Sequence, residues 1–144
     1  MRATRPAIGI GLRSGASAAA LVAVVEAALA RARARAPELD FAGAELFTVD
    51  SKRGEPGLRE AAGLLSRRLV FFAPALLAAV DAKVQTRSAL SLKHYGTGSV
   101  AEAAALAGAG AAARLLVPRL SGTGVTCAIA LGAMDRASAT HPQL

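Results

Sequence analysis

The chain has few aromatic residues and little cysteine. Tryptophan is absent, one tyrosine is present, and aromatic residues make up 3% of the sequence. Proteins that recognise nucleic acids usually add aromatic stacking residues or a recognised motif to their basic side chains, so this composition argues against a nucleic-acid partner. The single cysteine, Cys127, excludes an internal disulfide. Its apolar neighbours indicate a thiol buried in a strand.

Long apolar runs are also missing. The most apolar stretch, residues 15–30, contains Glu26 and is followed by Arg31, Arg33 and Arg35. A bilayer-spanning helix needs about 20 uninterrupted apolar residues, so no membrane partner is expected. Strand-like sequence, rather than the apolar segment of a signal peptide, follows the charged N-terminus. We therefore expect a cytoplasmic protein.

The charge balance is strongly positive. The net charge is +7, mostly from arginine, and the isoelectric point is about 11.0. Such a balance is typical of proteins that bind nucleic acid, anionic lipid or acidic small molecules. Without a nucleic-acid motif or a lysine run, a polycarboxylate or phosphate ligand is favoured. No His, Cys, Asp or Glu cluster has metal-ligand spacing, and the glycines after the first strand miss the dinucleotide fingerprint. We therefore expect neither a metal nor a cofactor.

Hydrophobic periodicity alternates between strand and helix along the chain. The sequence is long enough for one domain with a substantial core, here taken as residues 1–144 with a frayed tail after about 134. We expect a three-layer α/β/α domain with a mixed, mostly parallel sheet of about five strands, the last two antiparallel. Arg35 would lie on the apolar stripe of the first helix, so that helix should end before it. The predicted strands are residues 7–12, 44–49, 68–72, 114–118 and 125–131; the predicted helices are 17–33, one from Pro56, 74–80, and 99 to 108 or 110.

The segment from Gly96 to Leu106 predicts a loop that leads directly into a helix. Ser99 and Glu102 have the spacing of a capping box, in which each side chain accepts a backbone N–H of the first turn. Capping alone is a sufficient explanation for Glu102. Gly96 and Gly98 should leave the N-terminus of the helix uncovered, so that its free amides and dipole favour an anion. Gly98, Ser99 and Glu102 are therefore candidate ligand-binding residues.

Three other loop ends carry similar chemistry. The first strand is followed by Gly11, Arg13 and Ser14, and the second by Asp50 and Lys52, at the edge where open α/β sheets bind ligands. A loop predicted at residues 119–124 adds Arg119 and Ser121. A tight turn and a solvated surface pair are the alternatives at the first two places. If the loops converge, these residues form one basic, donor-rich cleft.

Two residues are candidates for a general base. Asp50 could orient Lys52 and a polar substrate, and His94 could serve as an acid or base because it is a histidine. A single histidine in a loop is more often part of the polar surface. No Gly-x-Ser-x-Gly nucleophile elbow is present. Catalysis therefore has little support from the residues alone.

Four segments occur in this order along the chain: residues 8–15, 48–52, 98–106 and 125–130. Together they resemble the cobalamin-biosynthesis family of CobE and the C-terminal domain of CbiG. The resemblance extends from about Ile8 to Leu131 and implies an α/β fold and a role in making the corrin ring. Where the family often has lysine, this chain has Arg119, which keeps the charge. The family motif positions are occupied here by Arg13, Asp50, Lys52, Ser99 and Glu102.

The chain has no room for the other CbiG regions, so it is most similar to the stand-alone CobE type. The resemblance implies a protein that binds a precorrin or another corrinoid intermediate, or hands it between enzymes of the pathway, which are then possible partners. An alternative is an enzyme that hydrolyses a lactone or side chain of a precorrin. In that case Asp50 or His94 would act as the base and the helix N-terminus would stabilise an oxyanion. A phosphate or nucleotide binder unrelated to cobalamin is a third possibility.

Overall fold

The computed structural model describes residues 2–135 of the 144-residue chain. The tail predicted after about residue 134 lies, from residue 136 onward, outside the described residues. The helices are α1 (Ala18–Arg35), α2 (Pro56–Leu65), α3 (Pro74–Ala79), α4 (Ala89–Tyr95) and α5 (Val100–Ala109). The strands are β1 (Arg2–Leu12), β2 (Leu46–Val49), β3 (Leu69–Phe72), β4 (Arg114–Ser121) and β5 (Val125–Asp135).

The five strands form one mixed sheet in the order β3-β2-β1-β5-β4. β1 pairs with β2 and β2 with β3 in parallel, whereas β5 is antiparallel to both β1 and β4. Helices α1 and α2 cover one face, and α5 covers the other with α3 and α4 beside it. The predicted three-layer α/β fold is confirmed. The carboxyl ends of β1 and β2 therefore meet at one edge of the sheet.

The two faces of β1 determine how closely each helix packs. Ile8 and Ile10 belong to the apolar core shared with α1, while Ala7 belongs to the core beneath α5. Gly9 lies on the α5 side, where a Cβ atom would collide with the carbonyl oxygen of Ala101. Small residues on this face therefore let α5 pack directly against the strand backbone.

Helix α1 begins where the sequence predicts and ends later. Ser17 caps it, since its Oγ accepts a hydrogen bond from Ala20 N at 3.1 Å. The prediction that the helix stops before Arg35 is wrong. Arg35 is exposed, and its Nη1 donates to the carbonyl oxygen of Leu116 at 2.6 Å, so the guanidinium is not buried in the core.

Strand β4 is longer than predicted, which changes the setting of two candidate residues. The register with β5 shifts between Leu115 and Val117 and again between Val117 and Leu120. An edge strand tolerates such bulges, which bend the strand and redirect its backbone groups. Arg119 and Ser121 therefore lie on a strand, not in a loop, and only residues 122–124 connect β4 to β5.

Among residues 2–135, no helix is long and apolar enough to cross a membrane. Cys127 is fully buried in β5, as its neighbours predict. Burial raises the pKa of its thiol to about 12.

We expect Cys127 to resist alkylation in the native protein. With its pKa at about 12, only about one thiol in ten thousand is ionised at pH 8, and the thiolate is the reactive form. Iodoacetamide followed by mass spectrometry should find almost no adduct before denaturation and one adduct after it. Rapid alkylation of the native protein would contradict the buried position.

Candidate functional site

A cavity of about 330 Å³ lies at the carboxyl ends of β1 and β2. It is bordered by the start of α5, by α4 and by the β4–β5 hairpin. This is the edge at which open α/β sheets bind ligands. The candidate residues that the structure places in its lining are Gly11, Arg13, Lys52, Ser99, Arg119 and Ser121.

The remaining candidates do not line this cavity. Ser14 lies in the exposed turn after β1, and Gly98 is buried beneath the side chain of Arg87. His94 belongs to the last turn of α4 rather than to a loop, and its side chain is exposed. The other two candidates, Asp50 and Glu102, are bound to partners elsewhere in the protein.

Three cations line the cavity without a counterion. The salt bridges among residues 2–135 use other arginines, so none pairs with Arg13, Lys52 or Arg119. No lining residue is acidic. The charge of these three side chains is therefore available to an anionic ligand.

Asp50 does not orient Lys52, as the sequence suggests it could. Its carboxylate forms a salt bridge with Arg53, with Oδ1 2.8 Å from Nη2. Arg53 in turn lies over the ring of Phe71, with its central carbon 4.6 Å from the ring centroid. Asp50 and Lys52 belong to the same 3₁₀ turn (Asp50–Lys52). Because the Asp50 carboxylate binds Arg53, the lysine ammonium lacks that partner.

The N-terminus of α5 opens into the cavity. Ser99 caps the helix, because its Oγ accepts from Glu102 N at 3.2 Å. The first backbone hydrogen bond of the helix runs from Ala103 N to Ser99 O, so the amides of Val100 and Ala101 precede the helical ladder. A Cβ on Gly11 would lie 2.5 Å from Thr126 Oγ1 but only in ordinary contact, at 3.7 Å, with Ala101 N, so glycine is needed there because of Thr126 of β5. The positive end of the helix dipole is thus added to the three cations.

Glu102 crosslinks two segments instead of completing the capping box. Its Oε1 accepts from the amides of Gln85 and Thr86 at 2.7 and 2.8 Å. Its Oε2 accepts from Thr86 Oγ1 at 2.7 Å and from Arg119 N at 2.9 Å. The register shift in β4 places Arg119 N outside the strand ladder, which leaves it available to this carboxylate. The reciprocal capping prediction is therefore wrong for Glu102.

The charge of Glu102 is stabilised although the side chain is fully buried. Burial raises the pKa of the carboxyl, but the hydrogen bonds from Thr86, Arg119 and Gln85 outweigh it, so the pKa is lowered. The ionised carboxylate of Glu102 then fixes the backbone of Arg119, and Arg119 lines the cavity. Glu102 therefore supports the site indirectly, because it binds the Arg119 amide but does not itself line the cavity.

A second carboxylate, that of Asp81, binds the segment that precedes α5. Asp81 accepts from Thr97 Oγ1 at 2.7 Å, Gly98 N at 2.8 Å and Arg87 Nη2 at 2.9 Å. These hydrogen bonds, with that from Arg87 the strongest influence, lower the pKa of Asp81 to about 2. The amide of Gly98 is therefore bound within this network and is not available to a ligand.

Sequence reasoning missed two lining residues on α4, Ser91 and Tyr95. They are four residues apart, which places them on the same face of a helix. Weak periodicity in residues 81–98 hid that helix. Tyr95 is the one tyrosine in the chain, and this could have marked it as a candidate site residue.

Fold and site together define an α/β protein with a basic cavity at the carboxyl edge of its parallel strands. Within residues 2–135, no group of three or more His, Cys, Asp or Glu side chains could hold a metal ion.

Comparison with known proteins places this chain in a family. The family model described as "Cobalamin synthesis G C-terminus" matches residues 7–130. The crystal structure of CobE, a protein from the cobalamin (vitamin B12) biosynthetic pathway, is 38% identical, with a TM-score of 0.78, over 92% of this chain and 94% of that one. Cobalamin biosynthesis protein chiG from Agrobacterium tumefaciens str. C58 is 44% identical, with a TM-score of 0.61, over 87% of this chain and 96% of that one. A search of curated proteins finds no match. The chain belongs to the CobE and CbiG C-terminal family of cobalamin-biosynthesis proteins.

Proposed function

We propose that this protein binds a precorrin or related corrinoid intermediate in the cavity described above and holds it for, or hands it to, other enzymes of the pathway. One observation carries the proposal: Arg13, Lys52 and Arg119 surround one cavity without an acidic neighbour in its lining. The start of α5 adds a further anion-attracting group.

The chemistry of such a ligand suits this arrangement. Precorrins carry acetate and propionate carboxylates around an apolar macrocycle. A shielded, charge-assisted hydrogen bond contributes about 1.5–3 kcal/mol, and association costs at least several kcal/mol. Three such bonds with apolar contact are compatible with micromolar affinity. A cavity of about 330 Å³ is at the lower end of ligand sites, so it would take one edge of the macrocycle with its acidic arms.

Hydrolysis of a precorrin lactone or side chain is the alternative proposal. The amides of Val100 and Ala101 favour it, because they could stabilise an oxyanion. Neither Asp50 nor His94 lines the cavity, however. Binding without turnover is therefore the better supported function.

Titration with hydrogenobyrinic acid, followed by absorbance, tests the proposal. We expect a spectral change with a dissociation constant in the micromolar range. Arg13→Ala, Lys52→Ala and Arg119→Ala should each weaken binding about 10- to 100-fold, which corresponds to the loss of one charge-assisted hydrogen bond. Arg33→Ala removes the same charge from an exposed position on α1 and is the matched control.

The outcomes separate the candidate functions. No spectral change with pigment at tens of micromolar would overturn the proposal. Equal losses in Arg13→Ala and Arg33→Ala would mean that only net charge attracts the ligand. Chemical conversion of the bound pigment would favour the hydrolase. Tight binding of inorganic phosphate or a nucleotide, without binding of pigment, would favour the third possibility.

A further inference from the structure

Helix α4 borders the cavity but is weakly attached to the core. None of its residues is fully buried, and Leu90 and Leu92 are 67% and 47% exposed. Tyr95 is its contact with the apolar cluster beneath α5. Two residues of α4 line the cavity, Tyr95 and, one turn earlier, Ser91.

Ser91 carries an unsatisfied polar atom. Its Oγ is inaccessible to solvent and has no hydrogen-bond partner within residues 2–135. Buried hydroxyl groups are nearly always paired, so an unpaired one next to a cavity needs an explanation. Because the Oγ is closed to solvent in this conformation, a ligand oxygen or N–H group in the cavity would become its partner only if α4 shifts.

The ends of the α4 segment are held by hydrogen bonds, whereas the helix itself contacts the apolar cluster beneath α5 through Tyr95. Ser88 N donates to Gly98 O at 2.8 Å, which brings the two ends together. The network around Asp81 secures the second end through Thr97 and Gly98. Gly96 follows the helix with φ of 75°, a conformation that glycine adopts without strain. A shift of the helix over the cavity would leave both attachments closed.

We infer that α4 is a ligand-binding flap whose Tyr95 and Ser91 determine which polyanion the site accepts. The inference rests on the proposed function and deepens it. Arg13, Lys52 and Arg119 attract any carboxylate, whereas the ring of Tyr95 offers apolar surface that only an amphipathic ligand can use. Ser91 adds a hydrogen bond to the same ligand. The site therefore selects an apolar ring system with acidic arms over a small polycarboxylate such as citrate.

Affinities for hydrogenobyrinic acid and for citrate test this inference. Tyr95→Ala should weaken pigment binding about tenfold and change citrate binding by less than about twofold. Tyr95→Phe should keep the pigment affinity, because it keeps the ring. Ser91→Ala should weaken pigment binding several-fold. Leu90→Ala, on the exposed side of the same helix, is the matched control and should change neither affinity.

Hydrogen exchange measures the flap directly. Amides of α4 should exchange more slowly when the pigment is bound, and citrate should have little effect on them. Thermal melts of each variant establish that it is folded. The Ser91→Ala and Tyr95→Phe variants keep the test valid if Tyr95→Ala does not fold.

Failure of the flap and failure of the proposed function can be told apart. If wild-type protein binds pigment and both Tyr95→Ala and Ser91→Ala bind it equally well, α4 does not select the ligand. Equal losses of pigment and citrate affinity in Tyr95→Ala would also overturn the inference, since Tyr95 would then support the whole site. If wild-type protein binds no pigment, the proposed function fails and this inference fails with it.

Discussion

Replacing Gly9 with alanine is expected to leave little folded protein. The added methyl group would collide with the carbonyl oxygen of Ala101 and lie 2.5 Å from the amide nitrogen of Ala105. Both atoms belong to the backbone of α5, so no side-chain rotation relieves the collision. We expect a loss of more than about 4 kcal/mol in the free energy of unfolding, out of a total of about 5–15 kcal/mol. Circular dichroism melts and soluble yield would measure it.

Gly63→Ala in α2 is the matched control. A Cβ at this position meets nothing within 4 Å, and alanine favours a helix over glycine by about 0.5–1 kcal/mol. This variant should therefore melt at or above the wild-type temperature. A Gly9→Ala protein that melts within a few degrees of wild type would mean that α5 does not pack against β1 as described.

Glu102→Ala has the second largest expected effect. The carboxylate accepts hydrogen bonds from three backbone amides, those of Gln85, Thr86 and Arg119. Its removal leaves these donors without their acceptor in a buried region, where each unsatisfied group costs about 1–3 kcal/mol. We expect a loss of about 3 kcal/mol or more, measured by urea unfolding. Ligand affinity should fall as well, because Arg119 loses its backbone support.

The ionisation of Glu102 also predicts a dependence of stability on pH. Its pKa in the folded protein lies below the ordinary value of 4.5, so the folded state binds fewer protons than the unfolded state near that pH. The stabilisation is present above pH 4.5 and is lost as the pH falls through the lowered folded value. Asp81 acts in the same direction at lower pH, between its ordinary 3.8 and its folded value of about 2.

Urea unfolding of wild type and Glu102→Gln between about pH 3 and 6 tests this dependence. The stability difference should shrink as the pH falls, because protonation of Glu102 in wild type removes the charge that the variant lacks. Glu38→Gln, at an exposed position, should follow the wild-type curve. A difference that stays constant with pH would mean that Glu102 contributes through shape rather than charge.

The sequence predicts to a large extent that the candidate loops come together. Arg13 and Lys52 follow parallel strands, and the carboxyl ends of parallel strands meet at one edge. The structure places both at the same cavity. Arg119 is different, because β4 is antiparallel to β5, which is itself antiparallel to β1, and only that pairing brings its end to the same edge.

The partners of the carboxylates were not predictable. Asp50 pairs with Arg53 rather than Lys52, although both are close in sequence. Glu102 has the spacing of a cap but bonds to residues about 17 positions away. Such choices depend on which donors the fold brings near, and local spacing carries no information about them.

By itself the sequence determined the α/β class, the order of the strands and of the helices other than α4, and the Ser99 cap. All of these depend on periodicity or capping chemistry within one segment. Only the tertiary structure decided that three cations share a cavity without a counterion, that Glu102 supports Arg119, and that α4 places Tyr95 and Ser91 at the site. These features arise between segments far apart in the chain, where contacts depend on packing and on the pairing of buried polar groups.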